Sequence, residues 1–177
     1  MAAAAVSSAS DSDSLDIPAA ARSPESGGYS KMTISGKHLI IHIDGASRGN
    51  PGPAAIGVVI RDRDGSLRSE ISHYIGEATN NQAEYRALIA ALEEAARLGA
   101  LHVDIRTDSK LVAEQIRGNY RVRHPGLRPF FQRALQLLSA YETYEIASIP
   151  REDNTSADAL ANRALDNRRS VHLPPGR

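Results

Sequence analysis

The hydrophobic period of this chain changes near residue 79, and that change constrains the fold more than any other feature. Before it lie three β-type runs in close succession. Residues 38–44, HLIIHID, are apolar and end at an acid. Residues 54–62, AAIGVVIRD, are rich in β-branched side chains, and Arg63-Asp64-Gly65-Ser66 supplies a hairpin turn. Residues 67–76, LRSEISHYIG, continue as a third strand. Three strands joined this tightly can only be an antiparallel meander.

After residue 79 the period is helical. In residues 80–98, apolar side chains recur at Ala83, Ala87, Leu88, Ala91, Leu92 and Ala95, with Thr79 or Asn80 as N-cap and Gly99 closing the helix. Leu101–Arg106 reads as a fourth strand, Ser109–Arg117 as a short helix and Pro129–Ala140 as another. Tyr144–Ile149 reads as a fifth strand and Thr155–Asn167 as a last helix, capped by Thr155 or Asn154. Strands that alternate with helices add in parallel through right-handed crossovers. The expected class is therefore α/β: a mixed five-stranded sheet, three strands antiparallel and two parallel, flanked by helices.

The boundaries follow from composition. Residues 1–31 are Ala- and Ser-rich with almost no large apolar side chains, so a disordered tail is expected, with a single domain over 32–170 and a frayed end over 171–177. The tail lacks the basic start and long apolar run of a secretory signal and carries Arg22 against Asp11, Asp13, Asp16 and Glu25. A cytoplasmic location is the expectation. The whole chain has 21 basic and 21 acidic residues, which excludes a general basic coat. Without residues 1–30 the balance is 20 bases against 17 acids, and none of those acids lies between Glu114 and Glu142. That stretch holds Arg117, Arg121, Arg123, Arg128 and Arg133, either a solvated face or a contact for a polyanion. There is no cysteine, so thiolate metal sites, disulfides and cysteine nucleophiles are excluded. No apolar run is long enough to span a membrane, and no membrane partner is expected.

Four acids stand out because they are not on exposed faces. Asp44 ends the first strand, Glu84 lies early in the long helix, Asp108 follows the fourth strand and Asp158 opens the last helix. Each alone has a plain role at a turn or helix start. Together, at adjacent strand ends and helix starts, they would repel one another and call for a hard cation. An all-oxygen set suits Mg²⁺ or Mn²⁺.

The flanking residues sharpen this. Asp44 opens DGASRGNPGP (44–53), Glu84 lies in TNNQAEY (79–85), Asp108 in TDSKLV (107–112) and Asp158 in PREDNTSADALAN (150–162). In this order the set resembles ribonuclease H type 1, over about His38 to Leu165. The resemblance implies a metal-dependent endoribonuclease that cuts the RNA strand of RNA–DNA hybrids with two Mg²⁺ ions (Mn²⁺ as substitute), leaving 5′-phosphate and 3′-hydroxyl ends. A monomer is expected. It implies that Asp44 bridges both ions, that Glu84 and Asp108 hold one and that Asp158 completes the other.

Substrate contacts are expected at Gly45, Asn50, Thr79, Asn80, Asn81, Ser109, Arg121, Arg123 and Arg151. Gly45, Gly49 and Gly52 would let a sugar–phosphate strand approach the backbone. Asn80 and Asn81 would read 2′-hydroxyls across the minor groove, and Thr79 would join a phosphate pocket on the DNA strand. The sequence departs from many members in two ways. The loop before the last acid has Arg151 where those members have His, and the Gly118–Pro129 connection is too short for their basic handle helix. Two other readings stay open: a nuclease of this fold that also cuts double-stranded RNA, and a silent hybrid-binding module.

Overall fold

The computed structural model describes residues 36–168 and 170–173; the Ala/Ser-rich segment expected as a tail and residues 174–177 lie outside the described residues. The three early runs form β1 (His38–Ser47), β2 (Gly52–Asp62) and β3 (Leu67–Ala78). They are followed by α1 (Asn80–Arg97), β4 (His102–Thr107), α2 (Lys110–Ile116), α3 (Arg128–Leu138), β5 (Thr143–Ser148), a 3₁₀ turn (Arg151–Asp153), α4 (Thr155–Asn167) and β6 (Val171–Leu173). No helix lies between α2 and α3.

The sheet order is β5-β4-β1-β2-β3-β6. β1 pairs antiparallel with β2, and β2 with β3, as a meander must. β4 joins β1 in parallel and β5 joins β4 in parallel. The difference from expectation is the sixth strand. Val171–Leu173, expected to fray, adds antiparallel to β3 through Glu70↔Leu173 and Ser72↔Val171. The outer edge of β3 offers unpaired backbone donors and acceptors, and a short segment returning past α4 takes them.

Alternation along β1 and β2 divides the molecule into two layers. Leu39, Ile41, Ile43, Val58 and Ile60 are fully buried on the face that carries α1, where Leu88, Ala91 and Leu92 meet them. The small residues of α1 let it lie close to the strands. Phe131, Ala134 and Leu138 of α3 extend the same core. Residues of opposite parity face α4. Ala55 packs with Ala164 and Leu165, and the Ser72 hydroxyl donates to the Leu160 carbonyl at 2.7 Å. At Gly57 the two layers touch backbone to backbone, since a Cβ there would lie 2.0 Å from the Ala157 carbonyl oxygen. Among the described residues no helix is long and apolar enough to cross a membrane.

Candidate active site

The parallel ladder between β1 and β4 ends at Ile43↔Thr107. One residue further on, the chains carry Asp44 and Asp108. Three helix starts close on the same place. Thr79 caps α1 with a full capping box: its hydroxyl accepts the Gln82 N–H at 3.2 Å, and its own N–H donates to Gln82 Oε1 at 3.0 Å. That fixes the first turn of α1, and Glu84 follows directly at the start of the second. Ser109 caps α2 by accepting the Val112 N–H at 3.3 Å. α4 begins at Thr155 and brings Asp158 in its first turn.

Asp44, Glu84 and Asp108 each offer a carboxylate oxygen within 4.8 Å of the others. Asp44 and Glu84 are each only 4% exposed. Asp158 lines the same cleft, but its Oδ1 accepts a hydrogen bond from Arg151 at 2.9 Å. The charges resist this crowding. Burial, then the nearby Asp108 and Asp158 carboxylates, push the Asp44 carboxyl up to about 7. Burial, then Asp44 and Asp108, hold the Glu84 carboxyl well above its usual range, against the Gly45 N–H and Arg151. Arg151 is a nearby cation that opposes these shifts, and its side chain is largely exposed.

The cluster fits a hard cation. Glu84 Oε2 is buried with no hydrogen-bond partner, so the fold leaves an acceptor of the donor set unfilled. Every ligand atom is a carboxylate oxygen, which suits Mg²⁺ or Mn²⁺ rather than zinc or copper.

Of the expected substrate contacts, Gly45, Asn80, Ser109 and Arg151 line the cleft with the four acids. Asn50, Thr79, Asn81, Arg121 and Arg123 lie outside its wall. Asn50 Oδ1 accepts the Asn80 N–H at 3.1 Å and so steadies the start of α1. Asn81 is exposed, as are Arg121 and Arg123 in the 117–127 connection. Gly45 also meets α1: it is buried, and a Cβ on it would stand 2.2 Å from the Glu84 backbone nitrogen, so its lack of a side chain admits the helix.

Two cleft residues escaped the sequence reading. Arg48 lines the mouth and pairs with Asp166 of α4. Asn162 also lines it, its Nδ2 donating to the Asp158 carbonyl at 3.0 Å. Arg48 was visible within DGASRGN, and Asn162 stands four residues, one helical turn, after Asp158.

Comparison with known proteins agrees with this geometry. The family model described as "Reverse transcriptase-like" matches residues 42–164. The chain is 50% identical over 131 residues to a ribonuclease HI of Halobacterium salinarum, covering 74% of this chain and 66% of that protein. It is 46% identical over 129 residues to a bifunctional protein of Mycobacterium tuberculosis, covering 72% of this chain and 35% of that one. The chain thus spans just under two thirds and about a third of these relatives' lengths. Among solved structures, LC11-RNase H1 in complex with an RNA/DNA hybrid superimposes with a TM-score of 0.71 at 44% identity, over 73% of this chain and 98% of that one. With its mixed sheet, its carboxylates at the end of the parallel ladder and these relatives, this chain is a member of the ribonuclease H type 1 family.

Proposed function

We propose that the protein is a metal-dependent endoribonuclease that hydrolyses the RNA strand of RNA–DNA hybrids. The observation that carries this reading is the convergence of the Asp44, Glu84 and Asp108 carboxylates, with Asp158 on the same wall. The structure of a 44%-identical relative with an RNA/DNA hybrid supports the choice of substrate.

In this reading Asp44, Glu84 and Asp108 hold one Mg²⁺, and Asp44 with Asp158 hold a second; Mn²⁺ can replace either. The chemistry such ions supply is activation of the attacking water and compensation of charge on the leaving 3′ oxygen, giving 5′-phosphate and 3′-hydroxyl products. The protein's own part is positioning. Asn80, exposed at the cleft rim, offers its side-chain amide to 2′-hydroxyls in the wide minor groove. Asn50 keeps Asn80 in place through the backbone bond already described. Arg151 presents a guanidinium to phosphate oxygens. It cannot serve as a general base, because a guanidinium does not give up its proton in the working range. The proposal takes the enzyme to be a cytoplasmic monomer.

The test is cleavage of one labelled RNA presented as hybrid, as single strand and as RNA duplex, each with Mg²⁺. Cleavage of the hybrid alone is the expected result. Equal cleavage of the duplex would replace hybrid specificity with a broader double-strand nuclease. Binding without cleavage of any form would leave a hybrid-binding module.

A further inference from the structure

Asn154 stands at the N-cap position of α4, where an asparagine side chain ordinarily accepts a backbone N–H of the first turn. It makes no such bond. Its Nδ2 instead donates to the Ile43 carbonyl at 2.8 Å, across 111 residues of chain. The residue is 1% exposed, and its Oδ1 is buried with no partner. Ile43 immediately precedes Asp44. It is also the last residue of β1 paired with β4, so it lies where the ladder to β4 ends while that to β2 continues. From its other side, the Asn154 carbonyl accepts the Asp158 N–H at 3.1 Å.

One residue therefore bonds the backbone just before Asp44 and the backbone of Asp158. The two acids come from elements far apart in sequence, and their charges oppose each other. Asn154 gives its amide to the Ile43 carbonyl rather than capping its own helix.

We propose that Asn154 is a positioning residue for the metal-binding carboxylates. Its amide ties β1 to the first turn of α4 and sets the separation of Asp44 and Asp158. The inference rests on the metal-nuclease reading above, and its test is chosen so that the two can fail separately.

The variants are Asn154→Leu, which fills the site without a donor, and Asn154→Ser, which keeps a shorter donor and is the milder change. Mn²⁺ binding to the substrate-free protein is measured by calorimetry. Hybrid cleavage is measured as kcat and KM, and thermal melting is followed alongside. The expected result is a loss of about tenfold or more in Mn²⁺ affinity for Asn154→Leu, with a smaller loss for Asn154→Ser. In the same variants kcat falls while KM for the hybrid stays within about threefold, because the contact acts on the metal site and not on substrate grip. Folded variants that bind Mn²⁺ and turn over like the parent, with only the melting temperature lowered, would overturn the proposal. If Asn154→Leu does not fold, parental Mn²⁺ affinity in Asn154→Ser overturns it equally. A parent protein that binds Mn²⁺ but leaves the hybrid intact would sink the nuclease reading, while the Mn²⁺ affinities would still judge the tie.

Discussion

Gly45 and Glu84 are in backbone contact: a Cβ on Gly45 would lie 2.2 Å from the Glu84 nitrogen and 2.3 Å from the Ala83 carbonyl carbon. Asp44 and Gly45 point to opposite faces of the sheet, as neighbours in a strand must. The bare face at Gly45 lets α1 come down onto β1, and the Gly45 N–H favours the charged form of the Glu84 carboxylate. That contact brings a helix-borne acid to a strand-borne one.

Gly45→Ala should therefore disturb the site more than a single methyl group suggests. The colliding atoms are backbone and cannot rotate away, so a loss of at least about 2 kcal/mol of stability is expected. Cleavage should fall with it, because α1 must shift and carry Glu84 away. Urea unfolding and a hybrid cleavage assay on the same preparation check both. A variant with parental stability and activity would contradict the contact.

Asp44→Asn should separate stability from function. Asp44 is repelled by Asp108 and Asp158, and Asn relieves that repulsion at the same size. The metal-free variant should melt higher than the metal-free parent at pH 8, by a few degrees for about 1 kcal/mol. It should lose hybrid cleavage and the stabilisation that Mg²⁺ gives the parent. Melting curves with and without Mg²⁺ read all three.

Glu94 governs acid stability at the far end of α1. Its carboxylate accepts from Arg97 at 2.6 and 2.8 Å and from the Ser69 hydroxyl at 2.8 Å, and His172 of β6 lies 3.2 Å away. The Arg97 hydrogen bonds, with those from Ser69 and His172, hold the carboxyl down to about 2 from a usual 4.5. The folded value is the lower one, so the contribution is complete above about 4.5 and is lost as pH falls toward 2. Glu94→Gln should cost about 2 kcal/mol at pH 7 and progressively less toward pH 2. Denaturant unfolding across that window checks the sign; a cost that grew on acidification would refute it.

Arg121 and Arg123 are exposed on the connection that stands where other members carry a handle helix. If both meet phosphates, replacing both with Ala should raise KM for the hybrid and reduce the slope of log affinity against log salt by about 2. Stability should not change. An unaltered salt slope would remove the loop from the binding surface.

Much of this was legible in the sequence, for reasons that differ by element. β1 through β3, α1 and α4 announced themselves because their apolar and β-branched runs, and the turns that bound them, are local. The four acids were legible because each lies in a short motif at an element end. β6 was not, because Val171–Leu173 is three residues long and its partner, the edge of β3, is a hundred residues away. Gly45 was read as a place for substrate; that it also meets α1 was not legible, since what packs against a glycine, here the Ala83–Glu84 backbone, is set by the fold. Asn154 was read as a cap because its position fits one; only the fold shows that its amide goes to Ile43.

The most direct measurement strips the protein of divalent ions with a chelator, then adds Mg²⁺ back while following cleavage of a labelled RNA–DNA hybrid. Parent and Asp44→Asn run side by side. The account requires no cleavage in the chelated parent, recovery on adding Mg²⁺, and no recovery in Asp44→Asn. Cleavage that persists under chelation, or that returns in Asp44→Asn, would mean that the carboxylate cluster is not where the chemistry happens.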